Sequence, residues 1–340
     1  MIPDKIFNFQ KNKVFVIAEV GFNHEGNLDR CIELITLASK SGADAVKIQI
    51  FNPQLNYAKK TESFKVISPA SLDEESLSKV FNFAKKKKIK LFSSFGDFDS
   101  LEFIRKHKPF CYKISSSTLT HIPLINELSK DNVPIIFSTG IALDKDISNV
   151  IRIFKKRKII NKVFILHCLS IYPTPKKYAN LQYMSKLRKK YKIPVGYSDH
   201  CIGMDAVLGA VNLGAQIIEK HFTFDSNRKG LDHQLSLMPA DFARMIKKIN
   251  DIKLMHGSGK ENPKKLILPL RNKYGRCLVA LKRIKIGDKL TYNNVGFKRP
   301  FGKKIGLDPI SIGKIINNKS LKDLKVDDII DFSVIKNDLV

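Results

Sequence analysis

The stretch YSDHCIGMDAVLGAVNLGAQIIEKHFTFD, Tyr197 to Asp225, ends two apolar runs on a histidine, His200 and His221, with a segment of helical period between them. An apolar run, an amphipathic segment and a second apolar run make one strand, helix, strand unit. Adjacent parallel strands in such a unit bring their ends together. The same alternation runs from the start of the chain to about residue 250. Candidate strands are FVIAEVG (Phe15 to Gly21), AVKIQIF (Ala45 to Phe51), LFSSFG (Leu91 to Gly96) and CYKISSS (Cys111 to Ser117). PIIFSTG (Pro134 to Gly140), VFILHCL (Val163 to Leu169), PVGYSDH (Pro194 to His200) and AQIIEKHFT (Ala215 to Thr223) complete the set. The intervening stretches are amphipathic; in NLDRCIELITLASKSGA, Asn27 suits a helix N-cap and Gly42 a helix end. Eight βα units predict an α/β fold of the TIM (β/α)8 barrel type. A doubly wound sheet is the alternative, because periodicity alone does not show closure.

Residues 1–255 are therefore expected to form the barrel domain. HGSGKENPKK, from His256, is polar and rich in turn formers, and predicts a linker over 256–273. From Tyr274 the pattern changes to short alternating runs with a glycine turn at Ile286-Gly287-Asp288, as in RCLVALKRIKIGDKLT. This predicts a small, mostly β module over 274–340.

At 340 residues and 43% hydrophobic content, the chain can bury a large core. No apolar run approaches the roughly 18 residues of a membrane span, and MIPDKIFNFQKNK lacks the order of a signal peptide, so a soluble, cytoplasmic protein with no membrane partner is expected. Five cysteines without CxxC spacing argue for reduced, buried thiols. A net charge of +28 invites a nucleic-acid reading. Against it, the lysines are spread along the chain, runs such as Lys85 to Lys90 and Lys155 to Lys158 fall at helix ends, and no nucleic-acid motif is present. No nucleic-acid partner is expected, although a basic protein attracts small phosphorylated anions.

In a barrel, chemistry sits at the carboxyl ends of the strands. That filter selects Glu19, Lys47, Gln49, Ser93, Ser94, Lys113, Ser116, His167, Ser170, Tyr172, Ser198, Asp199, His200 and His221. Two buried lysines without partners would each cost several kcal/mol, roughly, and an anionic ligand would remove that cost. Lys47 and Lys113, with the hydroxyls of Ser94, Ser116 and Ser198, suit phosphate and carboxylate oxygens. Glu19 is a candidate general acid or base or a third metal partner; a salt bridge to Lys47 or Lys113 is the structural alternative. Asn23 and His24 are candidates for ordering the following loop or for meeting substrate. His167 suits a structural role as well as a functional one.

His200 and His221 are one αβ unit apart, so their imidazoles can converge above the barrel rim. Two imidazoles with open positions suit Mn²⁺, Zn²⁺, Co²⁺ or Fe²⁺ completed by oxygen ligands.

Taken together, IAEVGFNHEGN, AVKIQ, YKISS, LHCLSIYPTP, GYSDH, EKHFT and GLDHQLSL, with LVALKRIKIGDKLT and FKRPFGKKIGL, resemble the sialic acid synthase family over nearly the whole chain. The resemblance implies a barrel followed by an antifreeze-like (SAF) domain. It also implies a domain-swapped homodimer in which each small domain caps the partner's active site. It implies an enzyme condensing phosphoenolpyruvate with an N-acylated amino sugar, such as N-acetylmannosamine or a 2,4-diacetamido-trideoxyhexose, to a nine-carbon 2-keto sugar acid with release of phosphate. By position, His200 and His221 would bind a divalent metal, Mn²⁺ first, with Mg²⁺ or Co²⁺ as alternatives. Glu19 would be catalytic. Lys47, Ser94, Lys113, Ser116, Ser170 and Ser198 would surround phosphoenolpyruvate, and Gln49, Tyr172, Asp232 and Arg299 the sugar. Two positions depart from the family pattern: Ser170 stands where asparagine is common, and Thr118 where a glutamate usually contacts sugar hydroxyls. Loss of that carboxylate points to a deoxy or diacetamido sugar. The competing expectations are a Schiff-base aldolase using Lys113 or Lys47, and a non-catalytic basic binding protein.

Overall fold

The computed structural model describes residues 7, 13–299 and 306–335. Most of the amino-terminal MIPDKIFNFQKNK, the centre of FKRPFGKKIGL and the last five residues of the 274–340 module lie outside the described residues. The chain divides into two compact units, Met1–Gly257 and Ser258–Val340.

The first unit is a closed parallel barrel of eight strands, so the doubly wound alternative is excluded. They are β1 (Phe15–Gly21), β2 (Ala45–Ile50), β3 (Leu91–Phe95), β4 (Tyr112–Ile114), β5 (Ile135–Ser138), β6 (Val163–His167), β7 (Val195–Asp199) and β8 (Ile217–His221). Closure is direct: β8 pairs back onto β1 from Phe15↔Ile217 to Glu19↔His221. Gly196 permits the neighbouring contact between β7 and β8. A Cβ there would lie 2.2 Å from the Ile217 carbonyl oxygen, so only glycine lets β7 approach β8 this closely.

Each strand is followed by a helix, beginning with Leu28–Lys40 and ending with Pro239–His256. Asn27 caps the first, its side chain accepting from Arg30 N at 2.9 Å, and Gly42, at φ +93°, lies just past its end. The lysine runs are explained here. Helix Glu74–Lys86 starts with Glu74 and Glu75 and ends with Lys85 and Lys86; helix Asp144–Lys156 likewise runs from acidic to basic. Each arrangement complements the helix dipole.

Side chains alternate along every strand. One set packs against the helices in a large apolar layer that includes Val16, Ala18, Val46, Ile48, Ile165, Val195 and Ile218. The other set fills the barrel axis, where Phe7, Phe15, Ile17, Phe92, Ile136, Phe164 and Ile217 form a separate cluster. Phe7 stacks edge-on against Phe15 and Phe164, with centroids 4.9 and 4.7 Å away. Two to four residues further along the same strands, the axis-facing positions become polar: Ile17 gives way to Glu19, Phe92 to Ser94, and Ile217 to Glu219 and then His221. The apolar lower layers thus floor a polar upper layer at the carboxyl ends of the strands.

The second unit begins with a helix, Lys264–Tyr274, that the polar 256–273 segment does not predict; none of its residues is buried. Beyond it, β9 (Cys277–Ala280) and β10 (Val295–Lys298) pair antiparallel, and single bridges such as Ile284↔Leu324 replace longer strands. Leu278, Ile284, Leu290, Val295, Leu324 and Ile330 form its own core. No helix of the described residues is long and apolar enough to cross a membrane.

Candidate active site

The polar layer lines a cavity of about 270 Å³ at the carboxyl ends of the strands. Of the positions selected from sequence, Glu19, Lys47, Gln49, Ser94, Lys113, Ser116, Ser170, Tyr172, Ser198, His200 and His221 all line it. Alternation explains the grouping, since each is axis-facing or lies in the loop after a strand.

The two lysines are not left without partners. Lys47 Nζ lies 2.9 Å from Glu19 Oε1, and Lys113 Nζ lies 3.3 Å from Glu219 Oε1, which is also 3.8 Å from Lys47. Ser198 Oγ donates to Glu219 at 3.0 Å, and Gln49 Nε2 donates to Glu19 at 2.8 Å. Countercharge for the lysines therefore comes first from within the chain, through Glu19 and the second carboxylate, Glu219, that the sequence reading passed over. Its signal was present: Glu219 stands two residues before His221, which places it on the same strand face.

Burial governs the protonation of this cluster. It pushes the Glu19 carboxyl up, with Glu219 adding to the shift and Lys47 opposing it. Glu219 moves down, because Lys113 and Lys47 outweigh the burial that would raise it. Lys113 is lowered by burial, partly offset by Glu219; Lys47 is raised, because Glu19 and Glu219 overcome burial. One carboxyl of the cluster is thus readier to hold a proton than the other.

The histidines sit on adjacent strands, with ring centroids 5.3 Å apart. His200 Nδ1 lies 2.7 Å from the Leu169 carbonyl oxygen, which fixes a proton on Nδ1 and leaves the Nε2 lone pair free. His221 Nδ1 is buried without a hydrogen-bond partner, and the nearest carboxylate is Asp232, at 3.4 Å. Burial lowers both imidazoles, and His200 lowers His221 further, so both are neutral near pH 7. Neutral, closely spaced imidazoles fit a divalent ion. Among the described residues no group of three or more His, Cys, Asp or Glu side chains is gathered to hold a metal. The Tyr172 ring covers His200, with centroids 4.3 Å apart.

In the same cavity, Ser116 Oγ and Ser170 Oγ lie 3.3 Å apart. Gly140, at φ +27°, makes room for them: a Cβ there would fall 2.2 Å from the first hydroxyl and 2.4 Å from the second. Ser138, also in the cavity, and Cys168, whose thiol accepts from Gly140 N at 3.1 Å, were not anticipated.

Other candidates lie apart from the cavity. Asp199 faces the helices and pairs with Lys220. His167 Nε2 meets the Ala179 carbonyl at 2.9 Å, a structural role. Ser93 is buried on the outer face without a partner. Asn23 orders a loop: its amide donates to Phe222 O and Ser236 Oγ, each at 3.0 Å, and its oxygen accepts from Asp232 N. His24 accepts from Gly26 N at 3.2 Å in the same loop. Beside them Glu25 accepts from Arg228 Nε and Nη2 at 2.7 and 2.6 Å and contacts His233, clamping the segment that presents Asp232 to His221. The Asp232 carboxyl is pushed up to about 7, by burial first and Glu19 second. Arg299 belongs to the second unit, where its guanidinium lies over the Tyr274 ring. Thr118 lies outside this cavity, its hydroxyl 2.9 Å from Ser115 Oγ.

A family model described as the NeuB family matches residues 34–261. An uncharacterised protein of Methanocaldococcus jannaschii is 37% identical over 316 residues, covering 93% of each chain. The pseudaminic acid synthase of Campylobacter jejuni is 34% identical, covering 95% of this chain and 96% of its own length. The N,N'-diacetyllegionaminic acid synthase of the same organism is 32% identical, covering 94% and 99%. Among solved structures, the N-acetylneuraminic acid synthetase of Leptospira borgpetersenii in complex with citrate superposes with a TM-score of 0.71 at 32% identity, covering 77% of this chain and 93% of that one. Barrel, cavity and relatives agree: the chain belongs to the NeuB family, that of the sialic acid synthases.

Proposed function

We propose that this enzyme condenses phosphoenolpyruvate with the open-chain form of an N-acylated amino sugar, releasing phosphate and giving a nine-carbon 2-keto sugar acid. One observation carries the reading: two buried ammonium groups, Lys47 and Lys113, share a cavity with a hydroxyl pair and two neutral, adjacent imidazoles. Relatives named as pseudaminic and diacetyllegionaminic acid synthases support it.

Charge balance supports a metal requirement. Lys47 and Lys113 are offset by Glu19 and Glu219, so a phosphorylated carboxylate entering the cavity brings uncompensated negative charge. A divalent cation held by His200 and His221, Mn²⁺ first, would offset it and act as a Lewis acid toward the sugar aldehyde.

In the proposed reaction Lys47, Lys113, Ser94, Ser116, Ser170 and Ser198 hold the phosphate and carboxylate oxygens. C3 of phosphoenolpyruvate forms a bond to the aldehyde carbon, leaving an alkoxide on the aldehyde oxygen. Positive charge develops at C2, where the Glu19 carboxylate opposes it. Water adds to C2, Glu19 passes one of its protons to the alkoxide, which becomes a hydroxyl, and the tetrahedral centre expels phosphate by cleavage of its C–O bond, the remaining hydroxyl proton leaving with the phosphate. A buried carboxyl whose proton affinity is raised suits this exchange. Gln49, Tyr172 and Asp232 are assigned to the sugar.

The second unit, read as the SAF domain with residues 274–340 as its body, would supply Arg299 to the sugar site of a partner in a homodimer. Mixing Glu19→Gln with Arg299→Ala chains should then restore activity that neither has alone.

The burial that lowers Lys113 also favours a Schiff-base aldolase. Phosphate release from phosphoenolpyruvate, measured across N-acyl aldoses with and without Mn²⁺, separates the two. Borohydride trapping of pyruvate on Lys113, with indifference to chelator, would replace the synthase reading by the aldolase.

A further inference from the structure

The loop after β8 carries Asp232 toward the site but has little local reason to keep its shape. Gly230 and Leu231 lie at φ +85° and +48°, and a left-handed backbone is unfavourable for leucine. The loop is held instead from across the β1–β8 seam, by Glu25 in the loop after β1. Glu25 itself sits at φ +53°, a conformation that suits glycine or asparagine better than glutamate. Such a residue persists only where its surroundings over-determine it.

Here the surroundings do so through the Glu25 carboxylate. Arg228 grips both oxygens, Nε donating to Oε1 at 2.7 Å and Nη2 to Oε2 at 2.6 Å. His233 Nε2 donates to Oε1 at 3.0 Å, and Arg30 donates to Oε2. His233 is fully buried and its Nδ1 accepts from Thr223 Oγ1 at 2.8 Å, so the tautomer with its proton on Nε2 satisfies both ring nitrogens. Arg30 and Arg228 share Oε2, and both guanidiniums lie over the Phe224 ring, at 5.8 and 5.5 Å. They would repel one another without the anion between them. The Arg228 hydrogen bonds, against burial and with help from the Arg30 charge, hold the Glu25 carboxyl below its usual value, so it is ionised near pH 7. None of Glu25, Arg30, Arg228 and His233 lines the cavity. The loop they tie ends at Asp232, whose Oδ2 lies 3.4 Å from the buried His221 Nδ1.

We propose that Glu25 is a positioning residue for the sugar side of the site: by gripping Arg228 and His233 it holds residues 225–232 in the shape that sets the Asp232 carboxylate beside His221. The groups assigned to phosphoenolpyruvate come from β2, β3, β4, β6 and β7 and the loops after them, not from β1 or β8. Loosening the loop therefore weakens the sugar and spares phosphoenolpyruvate. The inference rests on the synthase reading, with Asp232 on the sugar, and adds to it a residue outside the cavity that controls one substrate only.

The test compares the full-length protein with Glu25→Gln, Arg228→Gln and the double variant. Phosphate release is measured with Mn²⁺, varying each substrate in turn, on N-acetylmannosamine or 2,4-diacetamido-2,4,6-trideoxymannose, whichever the wild type turns over faster. Glu25→Gln should raise the sugar KM by about tenfold or more and move the phosphoenolpyruvate KM by less than about threefold. Arg228→Gln should show the same split, and it decides alone if Glu25→Gln does not fold. The double variant should be no worse than the more impaired single one, because the two residues act as a unit. Amide hydrogen exchange without substrates, read on a peptide covering 224–233, should be at least about tenfold faster in the variants, with the peptides of β3 and β5 unchanged. Equal rises in both KM values, a fall in kcat alone, additive losses in the double variant or unchanged exchange would overturn the inference and leave the synthase reading standing. No phosphate from the wild type with either sugar would overturn both.

Discussion

Asp199 and Lys220, the residues immediately before His200 and His221, form an ion pair at 2.7 Å in which neither side chain is exposed. Asp199 also accepts from Cys201 N, and Lys220 donates to the Cys201 carbonyl. The β7–β8 register pairs the two residues directly, so the bond on the outer face of the barrel locks the strand ends from which the histidines face inward. Breaking such a pair leaves an uncompensated charge, costing about 3–5 kcal/mol, whereas replacing both partners with apolar groups costs much less. Asp199→Asn should therefore lower unfolding stability by that order in urea titrations, and Asp199→Leu with Lys220→Met should recover at least half. A single substitution costing under about 1 kcal/mol would show that the pair does not hold the strand ends.

Glu19→Gln should keep the fold, since the amide preserves most contacts, and lower kcat by about 100-fold or more. Steady-state phosphate release at saturating substrates measures it. Near-normal turnover would remove Glu19 from the chemistry.

Lys113→Met should raise the KM for phosphoenolpyruvate by about tenfold or more and leave Glu219 without its nearest cation. Adding Glu219→Gln should restore part of the stability lost, because it removes the stranded charge. Denaturation midpoints for the single and double variants decide between a binding role and a purely structural one.

Gly140→Ala introduces a Cβ where Ser116 and Ser170 now approach. The hydroxyls must part, so the expected result is a KM for phosphoenolpyruvate about tenfold higher with a smaller change in the KM for the sugar. Equal effects on both substrates would show that the hydroxyl pair does not bind phosphoenolpyruvate.

His24 should make stability depend on pH. Burial, with help from the Arg30 charge and against Glu25, lowers its pKa from 6.5 to about 4. Between these values the unfolded chain binds the proton and the folded one does not, so this contribution is full above about 6.5 and is lost as pH falls toward 4. The shift corresponds to about 3 kcal/mol. His24→Asn, which keeps an acceptor for Gly26 N, should flatten the pH dependence of the urea midpoint in this window; an unchanged slope would assign it to other buried histidines.

Much of this was legible in the chain. The alternation of runs foretold the eight strands to within three residues at each end, because a strand buried on both faces must be apolar along its length and its helix must show a 3.6-residue period. The break at the strand ends from apolar to charged marked the site for the same reason: Ile217, Glu219 and His221 share one face of one strand. The helix Lys264–Tyr274 was missed because its polar approach reads as a loop and it buries nothing.

The sequence by itself determined the strand and helix alternation, the polar strand ends and the histidine pair, since these follow from local periods of two and 3.6 residues. Only the tertiary structure decided that the sheet closes, that Glu219 rather than a ligand first balances Lys113, and that Asp199 faces away from the cavity. Those facts depend on which residues meet across strands far apart in the chain, and side-chain period is silent about that.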